Sequence, residues 1–96
     1  SHLVISIAMV AVRLTVEDGL VTGAAVAVGA CSAVALRLPG VEAALAGAPV
    51  AEAVGRVRAA DVLAALSPID DVRATAPYRR QAAVELVRRA VAEALA

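Results

Sequence analysis

The residues best suited to chemistry lie in one stretch, Ser67–Arg80. It holds two of the four prolines, the only tyrosine and the densest mix of charges. Asp70 and Asp71 could hold a cation, yet neighbouring carboxylates beside Arg73 more often form a capped, ion-paired loop. Arg73 faces the two aspartates across a short link, and Tyr78-Arg79 opens the last helix. Each has a plainer reading: the aspartates cap, the arginines are solvated, and Tyr78 is a half-buried anchor with a wet hydroxyl. Elsewhere the inventory is thin. His2 is the only histidine and lies at the terminus, a poor base for a Ser–His pair. Cys31 is the only cysteine, so an internal disulfide and a multi-cysteine metal site are excluded. Among alanines and valines it reads as a small buried hydrophobe. Gly23 and Gly29 fall inside a strand pattern, and Gly40 and Gly47 flank a short helix with no basic partner. None makes a phosphate-cradling loop. No catalytic, cofactor-binding or metal-binding set emerges.

Composition narrows the partners. Nine basic and nine acidic residues balance, and every basic residue is arginine. A nucleic-acid binder usually carries a basic surplus and stacking aromatics, and this chain has neither. The uncharged run 19–36 is near the lower length limit for a membrane span, but three glycines, Thr22 and Ser32 argue against one. A cytoplasmic location is expected. Ser1-His2 reads as a processing remnant, leaving one domain over 3–96. Hydrophobic residues are 61% of the chain with no Phe or Trp, so the core must be Val, Leu, Ile and Ala. Each alanine contact contributes little.

The elements that would position these residues follow from periodicity. Leu3–Val16 reads as one strand, with Ser6, Ala8, Val10, Val12, Leu14 and Val16 on one face and Ile5, Ile7, Met9, Ala11, Arg13 and Thr15 on the other. Asp18-Gly19 is a strong two-residue turn. It predicts Thr15 opposite Thr22, Arg13 opposite Ala24 and Met9 opposite Val28. Val21–Ala30 returns, with Gly23 and Gly29 suggesting a bulge or close approach. Ser32–Arg37 predicts a short third strand burying Ser32, Val34 and Leu36. Pro39 and Gly47 bracket a short helix whose buried stripe is Val41, Ala44 and Leu45. A second helix is predicted over Val50–Leu66, burying Val50, Ala53, Val54, Val57, Ala60 and Ala64, with Gly55 weakening it or permitting a close crossing. Ser67-Pro68 stops it. A third helix runs over Ala76–Leu95, with Ala83, Val84, Val87, Ala90, Val91, Ala94 and Leu95 buried. Glu85–Arg89 and Arg89–Glu93 have ion-pair spacing. Two or three antiparallel strands followed by three helices make an α+β fold with the helices on one sheet face.

The order of these motifs resembles a known family. Asp71-Val-Arg73, Tyr78-Arg79 and the run Leu86–Val91 containing Arg89 are similar to the C-terminal domain of the FAD-binding subunit of molybdenum hydroxylases. That family includes the carbon monoxide dehydrogenase medium subunit and the matching part of xanthine dehydrogenase. Upstream, Val28-Gly29-Ala30, Ala35-Leu36-Arg37 and Glu42–Gly47 fall in the family's order, so the resemblance spans nearly the whole chain from Ile5. It implies a non-catalytic domain that supports the FAD-binding domains of the same subunit and contacts molybdenum-binding and iron–sulfur subunits. FAD would belong to the parent subunit. Leu3-Val4 stands where relatives often carry a charge, so no flavin contact is carried over. Asp71, Arg73, Tyr78, Arg79 and Arg89 match as structural residues, with the arginines expected to tie the last helix to the Asp70-Asp71 loop. The alternatives are a stand-alone FAD- or nucleotide-binding module and a partner-binding domain that only shares the fold. By itself the chain is expected to form a weak homodimer through its first strand or the neighbouring sheet edge.

Overall fold

The computed structural model of the chain describes residues 2–7, 10–29, 36–66 and 77–96. Four strands form one antiparallel sheet in chain order: β1 (His2–Ile7), β2 (Val10–Glu17), β3 (Leu20–Val28) and β4 (Leu36–Arg37). Helices α1 (Pro39–Leu45), α2 (Ala59–Leu66) and α3 (Pro77–Leu95) follow. Helix α1 packs on β3 and α3 on β1 and β2, so the α+β architecture stands as expected.

The predicted single strand Leu3–Val16 is in fact a hairpin. Ile7 pairs with Val10, Ile5 with Val12 and Leu3 with Leu14. Directly opposed residues share a face. Ile5 and Leu3 therefore join Val12 and Leu14 on the helix side, where period-two counting through one strand had separated them. No Gly, Asn, Asp or Pro stands between Ile7 and Val10, so the reversal left no turn signal.

The next hairpin turns where expected. Asp18 and Gly19 have φ of 53° and 76°, the positive pair that matches strand twist. Its register departs from the simple count. Val16 pairs with Val21, but Thr15 pairs with Gly23, Arg13 with Ala25 and Val10 with Val28. Thr22 is the extra residue of a β-bulge, and its hydroxyl donates to the Thr15 carbonyl at 3.2 Å. The predicted pairs Thr15–Thr22 and Arg13–Ala24 are thus displaced by one, and Val28 pairs with Val10; Met9, its predicted partner, lies outside the described residues. Packing supplies the reason. An unbulged ladder would turn Ala25 and Ala27 toward the helices, whereas the bulge turns Val26 and Val28 inward, at 0% and 3% exposure.

The helical half follows the expected pattern with one break. Pro39 starts α1, Val41 and Leu45 are buried, and Gly47 ends it at φ 82°. Gly47 donates to the Val21 carbonyl at 2.7 Å while Ala48 accepts from Val21 N–H at 2.8 Å. The predicted helix Val50–Leu66 is broken. Two 3₁₀ turns, Val50–Glu52 and Val54–Arg56, lead to an extended Val57, and α2 starts at Ala59. Gly55 weakens the helix here, and it has open space around it. The close crossing falls instead at Gly40, where a Cβ would stand 3.1 Å from Asp61 Oδ1. The break changes the helical phase of α2. Val62 is buried, while Ala60 and Ala64, predicted inward, are exposed. In α3, Val84, Val87, Ala90, Val91 and Ala94 are buried as expected. The core is wholly aliphatic, and among the described residues no polar side chain is buried in it.

Two glycines separate backbone need from mere occurrence. Gly47→Ala is expected to lower stability by about 1–2 kcal/mol, because a Cβ at positive φ meets its own carbonyl. Gly55→Ala should be neutral or slightly stabilising. Urea denaturation of the two variants checks the contrast.

Candidate interaction surface

The best-organised polar group of the described residues is a clasp on the outer edge of β3. Glu42 projects from the first turn of α1, where a carboxylate also suits the helix dipole. Its Oε2 accepts the Val26 backbone N–H at 2.8 Å. Arg37, on β4, grips both oxygens, with Nη2–Oε1 at 2.9 Å. The Val26 carbonyl accepts Leu38 N–H at 2.9 Å. The Glu42 side chain is only 16% exposed and Arg37 is 63% exposed. The Arg37 hydrogen bonds hold the Glu42 carboxyl below its ordinary value of 4.5; partial burial opposes this, and the Val26 amide reinforces it.

A second polar contact joins the helices. Arg88 Nε donates to the Val57 carbonyl at 3.1 Å, and Nη1 lies 3.2 Å from Glu85 Oε1. Val57 is the residue at which the predicted helix breaks, so Arg88 satisfies a carbonyl left without a helical donor. Glu85 therefore pairs with Arg88 rather than with Arg89 as predicted. Arg89 lies 3.9 Å from Glu93, the other expected pair. An open groove of about 530 Å³ runs here, lined by Val54, Glu85, Leu86, Arg88, Arg89 and Ala92. Its charged groups are taken up by one another, by Glu93 or by the Val57 carbonyl, leaving it a shallow surface rather than a set of convergent ligands.

Of the residues singled out from sequence, Asp70, Asp71, Arg73 and Cys31 lie outside the described residues. Tyr78 and Arg79 fall in the first turn of α3 with their side chains undescribed. Arg89 is exposed on α3. His2, read as part of a remnant, pairs with Thr15 in β1. Sequence reasoning missed Glu42, Arg37 and Arg88. The first pair had one signal, a carboxylate and an arginine flanking Leu38-Pro39 at a strand-to-helix junction. Arg88 had none, since its partner is a backbone carbonyl 31 residues away.

Among the described residues no three metal-binding side chains converge. No helix among them is long and apolar enough to cross a membrane. The other sheet face carries exposed Val4, Ala11, Arg13 and Thr22, with Ala25 and Ala27 half-buried. The fold is thus a four-stranded antiparallel meander with helices on one face and an open small-residue face on the other. The family model of the CO dehydrogenase flavoprotein C-terminal domain matches residues 1–94, and the chain belongs to that family. A search of curated proteins found no match.

Glu42→Ala is expected to cost about 1–3 kcal/mol, because it leaves the N–H of the buried Val26 without an acceptor. The carboxyl also predicts a pH dependence. Its folded value lies below 4.5, so below that pH the unfolded chain binds the proton first and stability falls as pH falls. Above that value the contribution is complete. The stability gap between wild type and Glu42→Gln should therefore narrow on acidification below about pH 4.5. Thermal melts of both proteins across that range measure it.

Arg88→Ala should destabilise by about 1–2 kcal/mol, since it strands the Val57 carbonyl. Arg89→Ala, which removes only an exposed pair, should cost under about 0.5 kcal/mol. Chemical denaturation separates the two.

Proposed function

We propose that this chain is a non-catalytic structural and docking domain of the FAD-binding subunit of a cytoplasmic molybdenum hydroxylase-type oxidoreductase. The observation that carries this reading is the family match across residues 1–94. In such an assembly electrons pass from a molybdenum site through iron–sulfur clusters to FAD. The domain would brace the FAD-binding domains of its subunit and help them meet the molybdenum-binding and iron–sulfur subunits.

The chain's one aromatic residue is Tyr78, whose side chain is not described, and the positive-φ glycines Gly19 and Gly47 lie at a hairpin turn and a helix end rather than before a helix N-terminus. No residue is assigned to the flavin. The described polar groups instead hold the domain together, as bracing requires. Asp71, Arg73, Tyr78 and Arg79 are proposed as structural residues that anchor the start of α3, and Arg89 as a structural residue further along the helix, paired with Glu93.

The expected result is that the 96-residue chain, gel-filtered after incubation with FAD, carries no flavin absorbance. Stoichiometric flavin on the isolated chain would overturn the docking reading and make it a cofactor module. A positive arm uses purified FAD-binding domains of the same subunit. These should co-elute with the chain, and Arg73→Ala should weaken that association.

A further inference from the structure

The hydrogen-bond directions in the sheet can be followed from one edge to the other. Val26 turns both its N–H and its carbonyl away from β2, toward Glu42 and Leu38. In an antiparallel ladder, bonding alternates from residue to residue. Val12, opposite Val26, therefore bonds toward β1, and Ile5, opposite Val12, bonds back. Leu3 and Ile7 follow Ile5. His2, Val4 and Ser6 direct their N–H and C=O groups outward from β1. Strand β1 is the sheet's terminal strand, and Val4 is 63% exposed. Along the outer side of β3, by contrast, β4 pairs at Ala27 and Val28, Leu38 and Glu42 bind Val26, Gly47 and Ala48 bind Val21, and at the preceding turn Val50 binds Gly19.

We propose that β1 docks against β1 of a second copy, antiparallel about a two-fold axis at Val4, joining the two sheets into one. The outward residues are spaced evenly about Val4. This register sets Val4 against Val4 and His2 against Ser6, so every outward backbone group finds a partner. The side chains agree. Leu3 meets Ile5 of the other copy on the helix side, and the two Val4 side chains meet on the open side. No charged residue, proline or glycine interrupts Leu3–Ile7, the devices that usually protect an edge. The nearest charge is Arg13, opposite Val4 on β2. In the joined sheet the two Arg13 residues stand three strand spacings apart, roughly 14 Å, beyond the ~8 Å screening length. One short strand buries well under the ~800 Å² per partner of a standard interface. The dimer is accordingly weak, with a dissociation constant on the order of 0.1 mM.

Pairing through β1 is independent of the flavoprotein reading, and it is tested on the chain alone. Sedimentation from about 10 µM to about 1 mM is expected to show a reversible dimer. Val4→Pro removes the central outward N–H without touching a bond to β2, and should weaken dimerisation about tenfold or more. Val4→Lys sets two ammonium groups face to face and should do the same, which keeps the test decisive if the proline variant fails to fold. Ala92→Glu, on the exposed groove of α3, should leave the dimer intact. In a mixed-isotope sample, NMR should show contact between Leu3 Hα of one copy and Ile5 Hα of the other. A monomer at about 1 mM, a dimer that survives Val4→Lys, or one abolished by Ala92→Glu would overturn the proposal.

Discussion

The structure depends on closing the outer edge of β3. That strand is central to the sheet, yet β4 covers only Ala27 and Val28. The rest of its backbone would face the helical layer unpaired, at a cost comparable to a lost hydrogen bond for each group. The chain satisfies much of it piece by piece. Leu38 and Glu42 take Val26, Gly47 and Ala48 take Val21, and Val50 takes Gly19. A single carboxylate stands where a neighbouring strand's carbonyl would otherwise stand. Arg37 holds that carboxylate in its charged, accepting form. Helix α1 is thereby fixed along β3, and through Gly40 and Asp61 it sets the approach of α2.

The core is built under a second constraint, the shortage of large side chains. With no Phe or Trp, each valine or leucine that faces outward is a real loss. The bulge at Thr22 turns Val26 and Val28 inward while keeping Val21 inward on the other side of it. Alanines serve where elements must approach closely, as at Ala48, Ala53, Ala90 and Ala94. The break at Val57 works the same way. It lets both Val57 and Val62 reach the core, with Arg88 taking the carbonyl that the break releases.

The described polar groups serve the domain's own packing. Its organised polar groups point along its own seams, at Glu42 and Arg88. Among the described residues, the outer backbone of β1 and a sheet face of small side chains stay outside the helical packing. The chain belongs to the CO dehydrogenase flavoprotein C-terminal domain family.

The sequence by itself determined the α+β order of elements, the Asp18-Gly19 turn, the limits of α1 and the buried stripe of α3. These rest on local signals: positive-φ residues, a proline at a helix start, a glycine at its end, and apolar periodicity over many residues. The motif order also carried the family. Tertiary structure alone decided the rest. The reversal between Ile7 and Val10 has no turn residue, so only cross-strand pairing with β2 fixes it. The bulge at Thr22 is chosen by which side chains the helices cover, and a register count cannot see a helix. Val57 breaks a helix that its periodicity favours, because the core takes both Val57 and Val62. Glu42 looked like one more surface acid; it became a structural anchor because Val26, 16 residues earlier, needed an acceptor at that point in space.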